Sequence, residues 1–130
     1  MSSLSCLIKT PYTQLYQNRM KVEIDYMYLY FPSTLVVDVG SEAILNLGLQ
    51  LKFVSGSQTL PFDISNAVTL VGLELIPNPV HVDQETFYIV NLKVKNTSSE
   101  KVVIKTGMAV GYIKMNNPFK VYNYTNKADE

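Results

Sequence analysis

The sequence predicts an all-β fold, a β-sandwich or jelly roll of short, mostly antiparallel strands. Apolar and polar side chains alternate with period two in several segments, which is typical of half-buried strands. Turn-forming residues interrupt these segments at intervals of about 8–12 residues. No segment shows a convincing helical pattern, so we expect eight or more strands.

The first half of the chain predicts three strands after a weakly patterned start. Residues 1–20 are predicted as an irregular arm or an edge strand, because Pro11 interrupts their apolar stripe. Strict alternation predicts a strand over 21–30. A short strand is expected over 34–38, and a longer one over 42–53, where leucines occupy every second position.

The second half predicts five more strands. A turn over 54–58 precedes strands at 60–64 and 67–76, and the second of these is apolar enough to be buried on both faces. Strong alternation predicts a strand over 86–95. The last strands are predicted at 101–105 and 108–115.

The chain of 130 residues is predicted to form one domain, residues 1–130, that ends in a C-terminal tail over 116–130. Apolar residues make up 47% and charged residues only 17%, which favours a large core or surface buried against partners. Lys and Arg together equal Asp and Glu, so no overall field attracts nucleic acid or a membrane. We therefore expect neither as a partner.

One cysteine, Cys6, allows no intramolecular disulfide, and we expect a free thiol in a reducing compartment. The N-terminal residues lack the pattern of a signal peptide, which predicts an intracellular location in cytoplasm or nucleus. One histidine and scattered carboxylates predict no metal site and no cofactor. His81 is interpreted as a loop residue rather than part of a catalytic triad.

Two groups of residues are candidates for a site. Asp83 and Glu85 form an acidic pair before a strand, where residues two apart share a face and can hold a divalent ion or act as a base. The alternative is a solvated loop. Tyr26, Tyr28 and Tyr30 share one face of a strand and predict a binding or interface strip. The alternative is that these rings line the core or a subunit contact.

Residues 26–115, about 90 of the 130, resemble the trimeric dUTPases, and more closely the viral descendants of that family that have lost activity. The resemblance rests on the order and spacing of several segments. The matching segments are 28–30 (Tyr-Leu-Tyr), 40–49 (Gly-Ser-Glu-Ala-Ile-Leu-Asn-Leu-Gly-Leu), 80–86 (Val-His-Val-Asp-Gln-Glu-Thr), Asn96, Gly107 and 110–113 (Val-Gly-Tyr-Ile).

The departures from the family motifs indicate lost catalysis. Tyr28 stands where the family has an aspartate that helps to hold magnesium, and Thr86 stands where it has the tyrosine that stacks on uracil. Asp83 matches the base that activates water. The region 64–68 lacks the phosphate-binding arginine, 107–112 departs from the fourth motif, and nothing in 116–130 resembles the arginine-bearing tail. Each lost donor of this kind costs on the order of 10²–10³ in rate.

The resemblance therefore implies a non-enzymatic viral protein with a dUTPase-like jelly roll that forms a homotrimer. Its expected work is binding a host or viral protein, in a host-interaction or regulatory role. Two alternatives stay open. One is a divergent dUTP or nucleotide hydrolase that uses Asp83 as its residual base and lysines for phosphate. The other is a structural module of the virion with a jelly-roll fold.

Overall fold

The structure, a computed structural model, describes residues 4–55, 58–60, 63–65, 71–76 and 87–124. These residues form ten β-strands and two single-turn 3-10 helices, Thr13–Leu15 and Gln17–Arg19, which confirms the predicted all-β fold. The strands are β1 (Leu4–Lys9), β2 (Ile24–Tyr30), β3 (Leu35–Val37), β4 (Glu42–Ser55), β5 (Gln58–Leu60), β6 (Asp63–Ser65), β7 (Leu73–Ile76), β8 (Tyr88–Asn96), β9 (Val102–Ile104) and β10 (Ala109–Asn123).

Eight of these strands form one curled, mixed sheet with the order β2-β10-β1-β4-β8-β7. β5 pairs with β4, and β6 pairs with β10. β1 runs parallel to β10, whereas the other pairs of named strands are antiparallel. β3 and β9 form a separate two-stranded sheet, and Val37 and Ile104 from it join the core of the large sheet. The result is a sandwich-like packing around one core.

The alternation in β4 supplies the centre of that core. Every second side chain from Leu45 to Phe53 is buried, because residues at period two share a face of the strand. The Phe53 and Phe119 rings meet edge to face with centroids 5.2 Å apart. Full burial of one such apolar side chain stabilises the fold by about 1.5–3 kcal/mol.

The prediction of an N-terminal arm or edge strand over 1–20 is wrong. β1 lies inside the sheet between β10 and β4, with Leu4, Cys6 and Ile8 buried. Residues after β1 turn through the two 3-10 helices and bring Tyr16 into the core at 0% exposure. Three alternating apolar residues are enough for an interior strand here because β10 and β4 pair with its two edges.

The prediction of a tail that begins at residue 116 is also wrong. β10 continues to Asn123, and Phe119 and Val121 are buried. The turn-forming residues Asn116, Asn117 and Pro118 lie in a register shift of the β10–β2 pairing and are exposed. A proline is tolerated at such an irregularity because the ladder needs no N–H there. Residues 125–130 lie outside the described part of the chain.

Asn96 fixes the loops at one end of the core. It is fully buried, and its Nδ2 donates to the carbonyls of Val37 at 2.9 Å and Glu100 at 2.8 Å. Its Oδ1 accepts from the Ser98 amide at 2.9 Å and from the Ser98 hydroxyl at 2.7 Å. The side chain therefore replaces water for two loops that would otherwise bury unpaired backbone groups.

Candidate functional site

The rings of Tyr26, Tyr28 and Tyr112 form a cluster across β2 and β10, here called the tyrosine cluster. Tyr28 is directly opposite Tyr112 in the antiparallel pairing, and Tyr26 is opposite Lys114. The three ring pairs all meet edge to face, with centroids 5.5, 5.8 and 6.1 Å apart. Edge-to-face pairs stabilise each other by about 0.5–1.5 kcal/mol beyond area burial. The cluster is thus a pre-ordered aromatic surface.

This surface is on the outside of the sheet. Tyr26 is 47% exposed, and Tyr28 and Tyr112 are half-buried. The opposite face of β2 carries Met27 and Leu29, which are fully buried. The core side of β2 is therefore its methionine and leucine side, and Tyr26 and Tyr28 do not line the core.

Tyr30 does not join the cluster. Its ring packs against Tyr16 at a centroid distance of 5.6 Å, and its amide donates to the Tyr16 hydroxyl at 3.3 Å. Burial raises the pKa of Tyr16 to about 12, because a phenolate would be desolvated there. The three tyrosines that the sequence placed in one strip thus divide into two on the outer face, the exposed Tyr26 and the half-buried Tyr28, and one, Tyr30, that packs against the core.

β2 is the terminal strand in the order of the described sheet, so one of its edges has no strand partner among the described residues. The amide of Phe31 donates to the Met108 carbonyl on the β10 side at 2.9 Å. Backbone groups alternate in direction along a strand, so the amides of Tyr30, Tyr28 and Tyr26 point to the outer edge. Tyr16 occupies the Tyr30 amide, which leaves Tyr26 and Tyr28 to offer backbone donors and acceptors there.

A shallow groove of about 370 Å³ lies beside the tyrosine cluster where β10 departs from β2. It contains Arg19, the only arginine of the sequence, together with the carboxylates of two acidic residues. The groove is therefore not a purely cationic site. The groove is lined by Arg19, Glu23, Ile24, Asp25, Tyr26 and Pro118.

Asp83 and Glu85, the predicted acidic pair, lie outside the described residues, as does His81. Within the described ranges, no group of three or more histidine, cysteine, aspartate or glutamate side chains is placed to hold a metal ion. Cys6 is fully buried, and desolvation raises the pKa of its thiol well above the ordinary value. A buried thiol of this kind is inert as a nucleophile.

Sequence reasoning missed Tyr112 and Tyr16. Tyr112 reaches the cluster only through the pairing of β10 with β2, two segments far apart in sequence. Tyr16 lies in a segment that was predicted as irregular, yet it is fully buried. The alternation of β10 places Tyr112 and Ile113 on different faces of the strand, which the sequence predicts. The sequence does not predict that β2 is the strand paired with it.

No protein-family model matches this chain, and no curated protein matches it in sequence. Among the described residues, no helix has the length and apolarity needed to cross a membrane.

Proposed function

We propose that this chain is a non-catalytic, dUTPase-like protein that binds a partner polypeptide along the open edge of β2. The observation that carries the proposal is the tyrosine cluster, a pre-ordered aromatic surface beside an edge strand with outward-pointing amides. Its viral origin is part of the same proposal, which rests there on the resemblance to viral members of the family.

The binding mode is addition of a strand. A partner segment in extended conformation would pair with the backbone at Tyr26 and Tyr28, and its alternate side chains would pack on the rings of the cluster. Main-chain hydrogen bonds give affinity in this mode, and side-chain contacts give specificity. Tyrosine suits such a surface because it buries a large area with little loss of side-chain entropy. The Tyr16 hydroxyl ends the available edge at Tyr30.

The sequence departures support the non-catalytic part of the proposal, and the groove adds to them. Polyphosphate cleavage needs cations that neutralise developing charge. Arg19 shares its groove with Glu23 and Asp25, whose carboxylates oppose the approach of a triphosphate. Incubation with dUTP and magnesium should release no pyrophosphate. Release that Asp83→Asn abolishes would favour the hydrolase instead.

The strand-addition mode is tested with peptides selected from a random library on the immobilised protein. Tyr26→Ala removes the most exposed ring, and Tyr26→Pro removes the ring and also the outward amide. We expect selected peptides to bind Tyr26→Ala more weakly and Tyr26→Pro more weakly still. Bound peptide should slow hydrogen exchange at the amides of Tyr26 and Tyr28, measured by NMR.

Val36→Ala is the control, since it removes an exposed apolar side chain from β3, which belongs to the separate two-stranded sheet. Peptides that bind wild type and both Tyr26 variants equally, with no exchange protection on β2, would refute the mode of binding.

A homotrimer is the proposed assembly, as the resemblance implies. Light scattering at micromolar concentration should then give about 44 kDa, three times the 14.7 kDa chain. A monomer would argue against both the assembly and the family assignment.

A further inference from the structure

Three lysines share an outward face where β10, β1 and β4 lie side by side. The pairing places Lys120 beside Ser5 and Lys52 beside Leu7, and Lys9 follows two residues further along β1. Lys9 is exposed, and Lys52 and Lys120 are half-buried. Lys9, Lys52 and Lys120 are here called the basic face.

Two aromatic rings position two of the three ammonium groups of this face. Lys9 Nζ lies 4.8 Å from the centroid of the Phe87 ring and 5.0 Å from that of Tyr124. Lys52 Nζ lies 5.9 Å from the Phe87 centroid. The Phe87 and Tyr124 rings themselves meet edge to face at 4.8 Å. Cation–π attraction thus restricts two long side chains whose charges would otherwise be freely mobile.

One carboxylate borders the basic face: the ladder that pairs Ile24 with Phe119 brings Glu23 to its Lys120 end. The ion pairs seen in the described ranges are Lys93 with Glu42 and Lys101 with Asp38, and they involve none of its lysines. The face thus carries three lysines that have no ion pair with a described residue, although the whole chain has zero net charge. Its outward neighbours are Ser5, Leu7, Gln50, Val54, Ile89 and Tyr122.

We propose that the basic face binds an acidic segment of a partner protein in extended conformation. Strand spacing of about 4.8 Å and two-residue steps of about 6.7 Å put the Cα atoms of Lys9 and Lys52 about 8 Å apart. The same spacings put Lys9 and Lys120 about 14 Å apart. Carboxylates at alternate positions of an extended peptide recur every 7 Å or so, which lysine stems can match.

The ring contacts favour an acidic peptide over single-stranded nucleic acid. Nucleic acid of that kind gains affinity by stacking bases on open aromatic faces. At Phe87 and Tyr124 these faces are already engaged by the lysines and by each other. A carboxylate needs only the ammonium groups and can bind without displacing them.

The test uses a fluorescein-labelled oligoglutamate peptide, with single-stranded oligothymidylate of equal charge as the competing probe. Fluorescence anisotropy at low salt gives both affinities for the full chain. The double variant Lys9→Gln/Lys52→Gln should bind oligoglutamate about tenfold more weakly. The matched control Lys93→Gln/Lys101→Gln removes the same charge from lysines that already have acidic partners, and should change affinity less than about twofold.

A single variant examines the rings. Phe87→Leu keeps an apolar side chain but removes the π face, and should weaken oligoglutamate binding about two- to fivefold. Added salt should weaken binding to wild type more than binding to the Lys9/Lys52 variant, because the lost contacts are electrostatic.

Three outcomes would overturn the proposal. They are no binding of oligoglutamate, equal loss in the two double variants, or tighter binding of oligothymidylate that depends on Lys9 and Lys52. The last result would assign the face to nucleic acid. Tyr26→Ala should leave oligoglutamate binding unchanged, so failure here is distinguishable from failure of strand addition at β2.

Discussion

Replacing Asn96 by alanine should destabilise the protein more than any other single polar change in the described residues. The side chain is 0% exposed and makes four hydrogen bonds, two as donor and two as acceptor. A hydrogen bond contributes about 1 kcal/mol net, and a buried carbonyl left unpaired, such as that of Val37, costs about 1–3 kcal/mol. The expected loss is about 3–5 kcal/mol, out of a typical total of about 5–15.

Asn91 on the same strand is the matched control. It is half-buried and faces away from the core, and its Oδ1 has no hydrogen-bond partner among the described residues. Removing an unsatisfied acceptor relieves a desolvation cost instead of creating one. Asn91→Ala should therefore change stability by less than about 0.5 kcal/mol or raise it slightly.

Urea unfolding followed by circular dichroism measures both variants. A midpoint shift with an unchanged slope identifies a change in stability. Asn96→Asp refines the test, since it keeps the acceptor for Ser98 but turns an oxygen towards the carbonyls of Val37 and Glu100. It should be at least as harmful as alanine at neutral pH. Equal stability of Asn96→Ala and Asn91→Ala would refute the reasoning.

Three further predictions concern backbone strain and buried ionisable groups. In urea unfolding, Gly48→Ala should lower stability by about 2–4 kcal/mol and Gly40→Ala by about 1 kcal/mol. Both glycines have positive φ, but a Cβ at Gly48 would lie 2.6 Å from the Tyr12 ring, whereas the space at Gly40 is open. Equal losses in the two variants would contradict this. Burial raises the pKa of Tyr16 from 10.0 to about 12, so the protonated residue contributes stability that is fully present below about pH 10 and is lost as the pH rises towards 12. Over that interval the free energy of unfolding of the wild type should fall by about 2–3 kcal/mol more than that of Tyr16→Phe. Parallel pH profiles of the two proteins would contradict this. Cys6 should react with iodoacetamide only as fast as the protein unfolds, because its thiol is buried and the pKa of the thiol is raised. Mass spectrometry of the labelled protein in increasing urea measures this rate. Fast labelling of the folded protein would contradict the prediction.

The alternation of β4 and β8 was readable from sequence because one face of each strand is clearly more apolar. Every second residue of β4 from Leu45 to Phe53 and of β8 from Val90 to Val94 is buried as that pattern predicts. β2 differs, since tyrosines occupy one face and Met27 and Leu29 the other. Both faces are apolar enough for a core, so the sequence alone did not decide which of them is buried.

Other features depended on neighbours that are distant in the chain. β1 became an interior strand because β10 and β4 flank it, and its few residues followed by Pro11 gave no sign of this. Asn116, Asn117 and Pro118 looked like the end of a strand, yet they form an irregularity inside β10. The basic face could not be predicted from sequence for the same reason. Its lysines lie on β1, β4 and β10, and its rings belong to Phe87, which precedes β8, and Tyr124, which follows β10.

β10 links the two proposed surfaces while keeping them apart. Tyr112 belongs to the tyrosine cluster near its start, and Lys120 to the basic face near its end. Eight residues of strand span at most about 27 Å, and the register shift between Lys114 and Phe119 changes the course of the strand between them. The tyrosine cluster and the basic face have no residue in common. A partner strand along β2 and an acidic segment across β1 and β4 therefore use different side chains, and effects at sites without shared partners usually add, so one copy of the chain could hold both partners together.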